Sequence, residues 1–128
     1  MKKSLVIGQI VVALGMSVAA HAQNTGLRVG AAKVDVTPAA SELPKNYEGI
    51  LDHIYSRAIV IDSGSALAAL ITLDAGGVQD PIWQAVSKQL ETELGIPAKN
   101  ILLTATHSHS VPGQPAGPYT QKIVESVR

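Results

Sequence analysis

The chain has 128 residues and balanced charge, with ten Lys and Arg against ten Asp and Glu, so neither nucleic acid nor an anionic membrane surface is indicated as a partner. It has no cysteine, which excludes a disulfide framework and a Cys-based metal site. It also has no Phe, one Trp and three Tyr, a thin aromatic supply for a domain standing alone.

The first 22 residues read as an export signal. Lys2 and Lys3 form a positive start, Ser4 to Ala20 is an apolar run softened by Gly8, Gln9 and Gly15, and Ala20-His21-Ala22 fits a small-x-small cleavage site. A spanning helix needs about 20 firmly apolar residues, more than this stretch offers. Cleavage after Ala22 predicts a secreted or periplasmic product beginning at Gln23, with no integral membrane segment. Loss of Lys2 and Lys3 leaves eight basic against ten acidic residues, a net charge of −2.

Along residues 23–128, Gln23–Leu27 is a flexible entry and Arg28–Val36 is a strand that stops at Thr37-Pro38. Ala39–Gly49 is loop. Tyr55–Asp62 is a strand closed by Ser63-Gly64-Ser65, and Ala66–Leu73 is a continuous apolar run that suits a strand covered on both faces. The two make a β-hairpin. Asp80 is expected to cap a helix over Pro81–Leu94, with Ile82, Val86, Leu90 and Leu94 on its buried face and Gly95 beyond its end. Trp83, in its first turn, reads as a packing residue. Ile101–Ala105 is another apolar strand. Strand, helix and strand form a β-α-β unit with parallel strands, whose ligands would sit beyond the strands' carboxyl ends. Val111–Pro118 is a Pro/Gly loop, and Tyr119–Arg128 opens a helical pattern with Ile123, Val124 and Val127 apolar. No Gly, Asn or Pro closes that pattern, which predicts that the chain is the N-terminal part of a longer protein. The expected fold class is α/β: a hairpin plus a β-α-β unit in a small mixed sheet with helices, part of a larger α/β hydrolase-type domain.

Chemistry concentrates in Thr106-His107-Ser108-His109, where the last strand gives way to loop. Histidines one residue apart in extended chain share a side of the backbone, and imidazole is both the commonest zinc ligand and a proton carrier near neutral pH. Both rings can therefore share one metal, or neither binds one and they serve as ordinary polar loop residues. A catalytic zinc site takes three protein ligands and an open position. The further candidates are His53, Asp74, Asp52 and Asp80, none at a spacing that marks a site. Asp74-Ala75-Gly76-Gly77 reads mainly as a strand-to-helix turn, with Asp74 also able to meet a ligand at the rim. Lys33 and Asp35 fit a surface ion pair. Ser108 and Ser110 lack the G-x-S-x-G elbow of a serine nucleophile.

Three segments in order resemble the amino-terminal domain of the neutral/alkaline non-lysosomal ceramidases. They are Gly30–Pro38 (GAAKVDVTP), Arg57-Ala58 with its strand and Asp74, and Asn100–Pro112 (NILLTATHSHSVP). The resemblance implies a zinc amidohydrolase that cleaves ceramide to sphingosine and a fatty acid with zinc-activated water. It makes His107 a zinc ligand and His109 a residue acting on substrate beside the metal, rather than a second ligand. The family pattern T-H-T-H-S-G-P-G-G is changed here at Ser108, Val111 and Gln114. Valine disfavours the positive φ open to glycine, which places acyl or sphingoid specificity in question. The family's other ligands, a histidine, a glutamate and a tyrosine, fall later than residue 128. The chain would then supply part of a site for a lipid or other small amide and be inactive alone. The alternatives are a related metallohydrolase of another amide or ester, and a secreted non-catalytic binding domain. Oligomeric state is left open.

Overall fold

The computed structural model describes residues 26–113 and 116–128, so the expected export signal lies outside the described residues. Four strands and two helices follow one another as β1 (Arg28–Asp35), β2 (Tyr55–Asp62), β3 (Leu67–Leu73), α1 (Asp80–Leu94), β4 (Ile101–Ala105) and α2 (Ala116–Glu125), with single 3-10 turns at Ala40–Glu42 and Ala98–Asn100. The strands lie in chain order across one sheet. β1 with β2 and β2 with β3 are antiparallel, whereas β3 with β4 is parallel, with α1 in the crossover. This is the mixed α/β sheet expected from the hairpin and the β-α-β unit.

The hairpin turn forms where Ser63-Gly64-Ser65 interrupts the apolar runs. Gly64 takes φ 81°, a left-handed conformation open to glycine, and Ser63 N–H donates to Ala66 O at 3.1 Å. Period-two alternation then sorts the side chains onto two faces. Ser56 and Ala58 on β2, and Ala69, Ile71 and Leu73 on β3, are buried with Ile82, Val86 and Leu90 of α1 and Ile123 and Val124 of α2. Each fully buried Ile or Leu is worth about 1.5–3 kcal/mol. A polar staple pins α2 to β2: Ser126 Oγ donates to Ile123 O at 2.7 Å, and Ser56 Oγ, at 2.9 Å, donates to Ser126 Oγ.

The other face carries an apolar row that is open among the described residues, beside a polar row of Lys33, Arg57, Thr72 and Thr104. Ile59 faces Ala31 and Leu70 across the two antiparallel pairings, and Leu70 faces Leu102 across the parallel one. Ile59, Leu70 and Leu102 are 44%, 42% and 56% exposed, so β3 is covered on one face among the described residues, not on both.

Two helix starts differ from expectation. Asp80 is the first residue of α1 rather than its cap; Gln79 is the cap, without a side-chain bond, and its carbonyl accepts from Ile82 and Trp83 N–H. Asp80 instead places a carboxylate in the first turn, where the helix dipole favours it. Gly95 ends α1 at φ 68°, as expected. α2 begins at Ala116, so its first turn takes in Gly117 and Pro118, because proline fits a first turn that needs no N–H donor. Trp83 is 38% exposed, so it packs on one side only. Among the described residues, no helix is long and apolar enough to cross a membrane.

Candidate metal centre

The carboxyl ends of β3 and β4 and the loops that follow them meet at one rim. Thr106 N–H donates to Leu73 O at 2.8 Å and Ser108 N–H to Ala75 O at 3.0 Å, so the loop carrying the histidines is laced to the loop carrying Asp74. His107 adopts φ 62°, the positive-φ non-glycine residue among the described residues. A left-handed histidine costs roughly 1–2 kcal/mol of backbone energy, and such strain gathers at functional sites. Val111, where a positive φ was at issue, does not adopt one.

Strain at His107 has a visible return in ring placement. Its Nδ1 lies 2.8 Å from Gly76 O. A carbonyl only accepts, so Nδ1 carries a proton, and in the neutral ring Nε2 keeps its lone pair as an acceptor or metal donor. An imidazole whose second nitrogen is tied to a carbonyl has the orientation of a metal-binding histidine. His109 Nε2 then comes to 3.1 Å from His107 Nε2, the rings edge to face with centroids 4.5 Å apart. Both rings are exposed. Two nitrogens that close can take one zinc-like ion at about 2.0–2.1 Å each, or one can ligate while the other holds a proton beside it. Among the described residues no group of three His, Cys, Asp or Glu could hold a metal, so the pair offers two nitrogen donors where a zinc site takes three or four protein ligands.

The other sequence candidates stand apart from this pair. Asp74 is an anchor of its own loop: its Oδ2 accepts from Tyr55 N–H at 2.9 Å and from Arg57 Nη1 at 2.7 Å. Asp80 and Asp52 are exposed. His53 binds Asp35, Nδ1 to Oδ2 at 2.5 Å, and this replaces the expected Lys33–Asp35 pair. Lys33 instead sets its ammonium 4.5 Å from the Tyr55 ring centroid, with the Arg57 guanidinium 5.2 Å from it. Asp35 takes Thr37 N–H at 2.8 Å. The Thr37 hydroxyl first, and then His53, hold its carboxyl well below the usual carboxylate range.

Sequence reasoning missed the Gly76 carbonyl, because a backbone acceptor has no side-chain signature, and missed Tyr55 and Arg57 as the holders of Asp74. Arg57, near the start of a strand that begins beside Asp74, is the signal that was available; Tyr55 acts through its backbone N–H and leaves none. A concavity at the hairpin end, between Asp62, Ser65, Lys99 and Asn100, is open to solvent. It contains no histidine.

A profile described as neutral/alkaline non-lysosomal ceramidase, N-terminal, matches residues 27–126. Neutral ceramidase from Pseudomonas aeruginosa superposes with a TM-score of 0.68 at 24% identity, covering 82% of this chain and 21% of that one. A ceramidase solved in complex with C2 gives 0.65 at 24% identity, covering 78% and 20%. The chain therefore spans about a fifth of the length of these solved ceramidases. No curated protein matches it in sequence.

Proposed function

We propose, from the premise that this chain belongs to the neutral/alkaline non-lysosomal ceramidase family, that it supplies part of the site of an exported, zinc-dependent amide hydrolase acting on ceramide. The observation that supports this most is the Nε2 of His107, oriented by the Nδ1 bond to Gly76 O and met at 3.1 Å by His109 Nε2. His107 is assigned as a metal ligand, and His109 as the residue that binds substrate and moves a proton beside it. Asp74 supports the loop through Tyr55 and Arg57, and is a weaker candidate for contact with the polar end of the substrate. A bound zinc ion would bring a water toward ionisation near neutral pH and polarise the amide carbonyl.

The remaining donors would come from polypeptide outside this chain, because two imidazoles do not complete a tetrahedral site. The proposed partner is accordingly a lipid amide rather than a nucleic acid, with the product secreted or periplasmic. A related metallohydrolase of another amide or ester is the second reading, favoured by the change at Val111 in the loop beyond the histidines. The test is His107→Ala in the full-length protein. Hydrolysis of a fluorescent short-chain ceramide should fall to background and stoichiometric zinc should be lost. Unchanged turnover would overturn the assignment, and activity on other amides without activity on ceramide would establish the second reading.

A further inference from the structure

The seven residues of β3 are apolar on both sides of the sheet except at Thr72, yet only one side is covered among the described residues. On the other side one row runs straight across the strands through Ala31, Ile59, Leu70 and Leu102, and a second, farther from the histidines, pairs Val29 with Ile61. Val29 is 61% exposed. An antiparallel sheet that faces water on one side carries polar residues there, and these rows do not. An apolar band of this kind on a small domain marks a surface that another layer covers.

The open face runs into the histidine rim. From Leu102 to Thr106 is four residues, about 13 Å at ~3.3 Å per residue, so a short strand or a helix of about nine residues spans it. The polar row in between has partners of its own. Thr104 Oγ1 donates to Ile71 O at 3.3 Å and accepts from Thr72 Oγ1 at 3.2 Å, and Arg57 is bound to Asp74. Lys33, on the edge strand, rests on the Tyr55 ring and can keep its ammonium in water. Covering this strip therefore strands no polar group.

Two deficits adjoin: a sheet face without its second layer, and two imidazoles without the one or two further donors that zinc takes. The chain spans about a fifth of the solved ceramidases, so a protein of their length has ample polypeptide to meet both. A tethered segment docks at high effective concentration, which favours it over a second copy of the chain. We propose that the open face is the seat of the polypeptide that completes the metal centre, a layer apolar against Ile59, Leu70 and Leu102 that carries the remaining donors at its rim end. This rests on the hydrolase reading above. Docking on the face and metal binding at the rim are then coupled, because the full ligand set exists only with the layer seated.

The test uses the full-length protein. Leu70→Cys and Leu102→Cys, read by thiol labelling of the peptides that carry them, should react at least tenfold more slowly in the native protein than in urea. A smaller ratio would overturn the docking, as would protection that appears only when the protein dimerises. Leu70→Lys should raise the Kd for zinc at least tenfold although it touches neither histidine, and Leu70→Met should leave it near the wild-type value. A folded Leu70→Lys protein with wild-type zinc affinity would overturn the coupling. If the wild-type protein binds no zinc, the hydrolase reading fails separately, and the labelling ratio still decides whether the face is covered.

Discussion

The two ends of the sheet are built on opposite terms. At the hairpin end the turn closes on itself and its neighbours: Gly64 N–H on Asp62 Oδ1 at 2.7 Å, the Arg28 guanidinium on the same carboxylate, and Asn100 Nδ2 on Leu67 O at 2.8 Å. Gly64 N–H first, and then Arg28, keep the Asp62 carboxyl below its ordinary range. The left-handed residue there is a glycine, so the turn carries little strain. At the histidine end the left-handed residue is His107, and two imidazoles remain exposed with their Nε2 atoms turned to each other. Such a contrast within one small sheet sets an end closed by its own hydrogen bonds against one whose exposed imidazoles suit the proposed metal and substrate roles. The concavity at the hairpin end has Asp62, Lys99 and Asn100 in its wall but no histidine, so it is not the candidate metal site.

The largest expected effect probes the reactive end. In the full-length protein, His109→Ala should lower turnover of a short-chain ceramide by at least about a hundredfold, the scale of a lost proton-transfer group, while zinc content holds at its wild-type value. Loss of zinc in that variant would instead make both imidazoles ligands, which the 3.1 Å separation also permits. A matched pair of backbone changes comes next. Gly64→Ala should destabilise the chain by about 1–2 kcal/mol by forcing a Cβ into the left-handed region, whereas His107→Gly should be more stable than His107→Ala by about 1 kcal/mol. Urea midpoints would read both, and equal stability of the two position-107 variants would remove strain from the account.

The smallest effect lies beneath the sheet. Tyr119 is 4% exposed and its hydroxyl has no hydrogen-bond partner among the described residues. Burial, with the charge of Asp74 adding to it, pushes that hydroxyl up to about 12. The native chain then keeps a proton that the unfolded chain releases near pH 10, so stability is intact below about pH 10 and declines as pH rises toward 12. Tyr119→Phe should abolish this decline and be neutral or slightly stabilising at pH 7, because the orphaned hydroxyl is gone. Urea midpoints at pH 8 and pH 11 measure it.

Much of this was legible because local rules and packing agree. β2 runs from Tyr55 to Asp62 as read, and the period of four in Ile82, Val86 and Leu90 is the buried stripe of α1. The GAAKVDVTP and THSHS segments together carried the family, and the matched profile spans both. What escaped depends on residues distant in sequence. Asp35 chooses His53 over Lys33 because the two segments meet across the β1–β2 pairing, and no rule of local spacing encodes that. The start of α2 escaped because Ala-Gly-Pro reads as loop until the burial of Tyr119, Ile123 and Val124 fixes the helix. The exposure of Leu70 escaped because an apolar run says that a strand prefers cover, not which face receives it.

The open row of Ile59, Leu70 and Leu102 has a practical consequence for anyone preparing this chain. An oily band crossing a sheet, next to the free edge of β4, is a template for sticking between molecules. Concentration in the tube, more than any detail of the histidine loop, will therefore govern how long a sample stays clear. A lysine at position 102 would improve handling while leaving the reactive rim as it is.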